Sequence, residues 1–82
     1  MIEYSLYPNP AQNLVNITSY FSNETVSVKI SDGAGKLLLK KDVLITDKNG
    51  KLELNLINGI YFVEIINKAN KHEFKKLIIS NY

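Results

Sequence analysis

The 82-residue sequence contains no cysteine, no tryptophan and no arginine, and only one histidine and two prolines. Without cysteine there are no disulfides, no thiolate metal sites and no thiol nucleophile. The single histidine, His72, sits between Lys71 and Glu73. It has no companion for a metal site or a Ser-His-Asp set and reads as a solvated surface residue. The missing arginines remove the bidentate fork that contacts phosphate and guanine. Ten Lys against eight Asp plus Glu leave a net charge of only +2, so nucleic acid is not an expected partner. No apolar run approaches the roughly 18 residues a spanning helix needs, and membrane insertion is not expected. The residues after Met1, Ile-Glu-Tyr-Ser, lack the basic region and long apolar stretch of a signal peptide. The expectation is a cytoplasmic protein or a piece of a longer one whose targeting sequence lies elsewhere.

What is present is a compact apolar vocabulary broken at even intervals. A composition 45% hydrophobic and 22% charged argues for one folded domain spanning residues 1–82. Turn signals fall at Tyr7–Pro10, Ser22–Glu24, Asp32–Gly35, Asp47–Gly50, Asn58-Gly59 and Asn67–Asn70. The Val-, Ile-, Leu-, Tyr- and Phe-rich runs between them predict seven strands, at Ile2–Leu6, Leu14–Ser19, Val26–Ser31, Lys36–Ile45, Leu52–Leu56, Ile60–Ile66 and His72–Ser80. Val26, Val28 and Ile30 alternate with Ser27 and Lys29, and Leu52, Leu54 and Leu56 with Glu53 and Asn55. That period of two fits antiparallel strands buried on one side. No window holds a helical stripe well enough to compete. Seven short strands predict an all-β, antiparallel two-sheet sandwich of immunoglobulin-like type.

Finer cues qualify this outline. Tyr61, near the start of the sixth strand, is placed like the tyrosine corner of immunoglobulin-like folds. The sixth strand is apolar on both faces, which predicts either cover on both sides or an exposed patch. In the last strand, Phe74, then Lys75-Lys76, then Leu77-Ile78-Ile79 suggest a bulge or a phase change. Asp32-Gly33-Ala34-Gly35-Lys36 resembles a phosphate loop superficially, but Leu37-Leu38-Leu39 follows as a strand, so a hairpin turn is expected. Tyr7-Pro8-Asn9-Pro10 should form a stiff extended corner that leaves a sheet edge and crosses between sheets, with Asn9 bonded to the local backbone. Asp32, Asp42, Asp47 and Glu53 are scattered over turns and polar strand positions. No catalytic set and no cofactor is expected. A terminal strand at a sheet edge would leave backbone groups open to another protein, with Lys75 and Lys76 beside it.

Taken in order, Tyr7-Pro8-Asn9-Pro10-Ala11, Leu14-Val15-Asn16-Ile17, the Asp32–Lys36 turn, Leu56–Val63 and the closing Lys75–Ile79 strand resemble one family. It is the type A C-terminal sorting domain of proteins exported by the type IX secretion system, and the likeness runs from Ile2 to Ser80. The resemblance implies addressing rather than catalysis. Such domains are immunoglobulin-like sandwiches at the C-terminus of larger cargo proteins. The cargo enters the periplasm by its own signal. The domain is then read by the outer-membrane export apparatus, and a sortase-like cysteine peptidase commonly removes it, leaving the cargo secreted or at the cell surface. Tyr7, Pro8, Asn9 and Pro10 match the first family motif, Gly59 and Tyr61 the glycine–tyrosine motif, and Lys76 with Leu77, Ile78 and Ile79 the terminal motif. Asn13 stands where the family often has an acidic residue.

On this reading the chain is a piece of a larger secreted protein, with Met1 added to start it. Gly59 is expected to use a positive φ to start the sixth strand, and Tyr61 to bury its ring while its hydroxyl finds a backbone acceptor. Recognition is expected at the exposed edge near Lys75, Lys76 and the C-terminus. The competing reading, a β-sandwich adhesion or carbohydrate-binding module, needs exposed aromatics on one face, for which Tyr20, Phe21 and Phe62 are the candidates.

Overall fold

The structure, a computed structural model, describes residues 4–20 and 23–81. The expected start of the first strand at Ile2, the turn residue Ser22 and the candidate aromatic Phe21 lie outside them. Seven strands form: β1 (Tyr4–Tyr7), β2 (Leu14–Ser19), β3 (Glu24–Ser31), β4 (Leu37–Ile45), β5 (Asn49–Glu53), β6 (Gly59–Ile66) and β7 (His72–Ile79). They build two antiparallel sheets, ordered β1-β2-β5 and β4-β3-β6-β7, and no helix occurs among the described residues.

Alternation explains why the sheets stack. Val15, Ile17 and Ser19 of β2, Val26, Val28 and Ile30 of β3, and Tyr61, Val63 and Ile65 of β6 are buried, while their sequence neighbours face out or lie half-covered. Leu52, Val43, Ile45, Leu77 and Ile79 join them in the shared core, together with Tyr4, Ala11 and Leu54. Each large aliphatic side chain removed from water contributes about 1.5–3 kcal/mol, which offsets chain ordering in so small a domain.

Two hairpins use the same local device. In Asp32–Lys36 the Asp32 side chain accepts from the N–H groups of Ala34 and Lys36, both at 2.9 Å, and Gly35 takes φ 86°. Between β6 and β7 the Asn67 side chain accepts from Lys71 N–H at 3.0 Å, and Asn70 takes φ 60°. The first is the expected hairpin turn, not a phosphate loop.

Three expectations are corrected. The fifth strand is Asn49–Glu53, not Leu52–Leu56: the chain reverses at Asp47 and Lys48, with φ 52° and 67°, and Thr46 and Asn49 exchange backbone hydrogen bonds at 3.0 Å. Two positive φ values in a two-residue loop match the twist of the flanking strands. Gly50 is therefore a strand residue opposite Ile17, and a Cβ there would lie 2.8 Å from Val43 Cγ1. Second, β7 carries no bulge. It pairs with β6 one residue to one from Gly59↔Ile79 to Ile66↔His72. The register shift lies instead between β3 and β4, at Ile30/Ser31. Third, Gly59 does not use a positive φ; among the described glycines only Gly35 does.

Candidate functional site

The residues singled out in the sequence converge on β7. β1 is an edge strand of the smaller sheet and β7 an edge strand of the larger one. The chain leaves β1 at Tyr7 and, as expected, crosses from one sheet to the other. The Tyr7-Pro8 and Asn9-Pro10 bonds are both cis, and the backbone bends at residues 8–10. It delivers Ala11 to a parallel bridge with Ile79. Ala11 N–H donates to Ile78 C=O at 2.8 Å, and Ser80 N–H donates to Ala11 C=O at 2.9 Å.

Asn9 does not bond locally. Its Nδ2 donates to Lys76 C=O at 2.9 Å and its Oδ1 accepts from Ile78 N–H at 2.9 Å, contacts 67 and 69 residues away in sequence. The side-chain amide thus stands in for the backbone of a neighbouring strand. A second asparagine holds the other end of the tail. Asn58 Oδ1 accepts from Asn81 N–H at 2.8 Å, and its Nδ2 donates to Asn81 C=O at 3.4 Å. The edge expected to be open near the C-terminus is therefore closed from Lys76 C=O to Ser80 N–H.

Tyr61 closes a corner on the same side. Its ring is buried and its hydroxyl donates to Ile57 C=O at 2.6 Å, the expected tyrosine corner. Gly59 lies against that ring: a Cβ would meet it at 3.7 Å, an ordinary contact. Tyr7 is half-exposed and donates from its hydroxyl to Asn49 Oδ1 at 3.1 Å, tying the end of β1 to β5.

The two lysines of β7 part company. Positions 73, 75, 77 and 79 share the inward face, and Lys75 accordingly points inward, 19% exposed, with Nζ 2.8 Å from Glu73 Oε2. Glu73 Oε2 also accepts from Tyr4 N–H at 3.2 Å. Lys75 is thus half-buried with its charge matched by Glu73, and is not part of an exposed edge. Lys76 faces outward, beside Phe62 of β6. Leu77 and Ile79 are core residues and Ile78 is half-covered on the outer face.

The outer face of the larger sheet is the exposed apolar patch that β6 foreshadowed. Ile60 and Phe62 are about half-exposed, Phe74 is 70% exposed, and Lys76 sits among them. His72 belongs to the same face, with Nδ1 2.6 Å from Glu64 Oε2. Tyr20, by contrast, follows β2 of the other sheet, so Tyr20 and Phe62 do not form one aromatic platform. Among the described residues, no three His, Asp or Glu side chains group as metal ligands. An open hollow of about 520 Å³ lies beside the crossing segment, lined by Pro8, Pro10, Gln12, Asn13, Leu14 and Ser80.

Phe74 and the β7 clasp are the features the sequence did not announce. Alternation with Leu77 and Ile79 carries the signal for the inward Lys75 and outward Phe74; nothing local carries one for Asn9. Compared with known families, residues 5–80 match the model of the secretion system C-terminal sorting domain. No curated protein and no solved structure matches the chain.

Proposed function

We propose that this chain, which belongs to the C-terminal sorting domains of the type IX secretion system, is read by the export apparatus as a folded label, through the outer face of β6 and β7 around Lys76. The domain is a C-terminal secretion signal. Membership in the family implies a cargo on its N-terminal side and secretion or cell-surface display of that cargo. The finer route is our reading: passage through the periplasm, recognition by the outer-membrane apparatus, and removal by a sortase-like peptidase.

The observation that carries the surface assignment is the division of labour within the family motifs. Asn9 and Tyr61 spend their polar groups on the domain's own backbone, and Leu77 and Ile79 are buried. Lys76 is exposed on a strand those contacts hold rigid, next to Phe62 and Phe74. A cation beside exposed aromatics suits a protein partner with acidic and apolar groups. Tyr7, Pro8 and Pro10 act in this reading by building the corner, while Gly59 lies in ordinary contact with the Tyr61 ring.

The test is a fusion of residues 2–82 behind a signal peptide and a fluorescent reporter, in a host with the type IX apparatus. Reporter should appear outside the cell, and Lys76→Glu should leave most of it in the periplasm while the domain stays folded. Export of Lys76→Glu at the unsubstituted level would overturn the surface assignment. Periplasmic retention of the unsubstituted fusion would overturn its sufficiency as a signal.

A further inference from the structure

We infer that the outer edge of β7 is a strand-pairing site that the chain keeps closed with its own Asn9–Ala11 segment, and that opening it joins two copies of the domain edge to edge. The inference rests on backbone geometry and is independent of how the export apparatus reads the domain.

In an antiparallel ladder a residue's N–H and C=O point to the same side, and the side alternates along the strand. Ile78 spends both groups on the clasp: its N–H on Asn9 and its C=O on Ala11. Lys76 C=O and Ser80 N–H are held in the same way. The even-numbered residues of β7 therefore face away from β6, and the odd-numbered ones pair with it. Among the described residues, no partner meets the outward N–H and C=O of Phe74 or the N–H of Lys76. The clasp covers half of the edge and stops there.

The rest of β7 is a good template for a further strand. It spans eight residues in unbroken register, with no bulge to twist it away. Removing the clasp extends the open row from Phe74 through Ile78. A second copy can then pair about a two-fold axis at Lys75, which sets Phe74 against Lys76 of the other copy and His72 against Ile78. That register keeps the two Lys76 side chains apart and sets the two Lys75 side chains opposite each other on the inner face, each already paired with Glu73 of its own copy. It also continues the exposed Phe62 and Phe74 surface of one copy into the other. The resulting sheet has the order β4-β3-β6-β7-β7-β6-β3-β4, and its isologous contact closes at two copies.

Asn9→Asp is the direct test, because it preserves size and the acceptor for Ile78 N–H but sets an oxygen against Lys76 C=O. Sedimentation of the 82-residue chain should show the unsubstituted domain as a monomer, and Asn9→Asp doubling in mass as its concentration rises. Adding Phe74→Pro, which removes one outward donor, should restore the monomer. A folded Asn9→Asp that stays monomeric, or a dimer that survives Phe74→Pro, overturns the inference. If Asn9→Asp does not fold, hydrogen exchange of the unsubstituted chain decides: Ile78 N–H, held by the clasp, should exchange at least about tenfold faster than Leu77 N–H, which faces β6. Equal rates would mean the clasp opens only on global unfolding, and that overturns it too.

Discussion

Tyr61 reaches back over one corner of the domain to Ile57, its hydroxyl donating to that residue's carbonyl at 2.6 Å. The ring fills the core at the start of β6 while its polar tip satisfies a carbonyl in the connection from β5. One side chain thus fixes both where β6 begins and how the chain approaches it.

Tyr61→Phe keeps the ring and leaves the Ile57 carbonyl without this donor. The expected cost is about 1–2 kcal/mol, or a fall in Tm of roughly 4–8 °C for each kcal/mol in a domain of this size. Urea and thermal unfolding measure it, and an unchanged midpoint would show that the bond contributes nothing.

The two glycines that flank turn signals should respond to alanine unequally. At Gly50 the added methyl would lie 2.8 Å from Val43 Cγ1 and 3.0 Å from Leu44 C=O, and backbone cannot yield as a flexible side chain does. A loss of about 1–3 kcal/mol is expected for Gly50→Ala. At Gly59 the nearest atom is 3.7 Å away and φ is not positive, so Gly59→Ala should stay within about 0.5 kcal/mol of the unsubstituted domain. Parallel urea titrations compare them; equal midpoints would contradict the close approach of β5 to β4.

Adjacent lysines should separate folding from recognition. Lys75→Met leaves the half-buried Glu73 carboxylate without its 2.8 Å partner, at an expected cost of about 1–3 kcal/mol. Lys76→Glu changes an exposed outer-face residue and should leave Tm almost where it was while lowering export. The Tm of each variant and the extracellular reporter fraction give the two axes; a larger Tm loss at Lys76 than at Lys75 would reverse the assignment.

The β4–β5 reversal is strained by side chains where the backbone wants none. Asp47 and Lys48 both sit at positive φ, a region glycine and asparagine enter more easily. Replacing the pair with Asn-Gly should raise stability by about 0.5–1 kcal/mol, seen as a higher urea midpoint with an unchanged slope. The Ser19 N–H to Lys48 C=O bond is backbone and survives the exchange. A lower midpoint would refute the turn geometry.

Much of the fold was legible because its signals are local. β2 matches its expected bounds, and β3, β4, β6 and β7 shift by a residue or two, since alternating aliphatics between turn residues leave little freedom. β5 was displaced because Asp47–Gly50 reads as a single turn signal, yet the reversal uses only Asp47 and Lys48, residues with poor intrinsic preference for positive φ. Packing decided: Gly50 is needed where β5 passes close to β4. β7 looked bulged because Lys75 breaks the apolar pattern, but it keeps phase with Leu77 and Ile79 and is neutralised by Glu73. The role of Asn9 was illegible in principle. Local rules pair an asparagine with backbone a few residues away, and its partners come from the far end of the chain.

The meeting of Asn9 and Ala11 with Ile78 has a temporal side. On the ribosome, residues 72–80 emerge after the segments they join, so until then β6 has β3 on one side only and the proline corner has nothing to grip. A polypeptide stopped short of them cannot assemble this shape, however complete the rest. The last strand thereby makes the address conditional on its own translation: only a chain that contains β7 can display it.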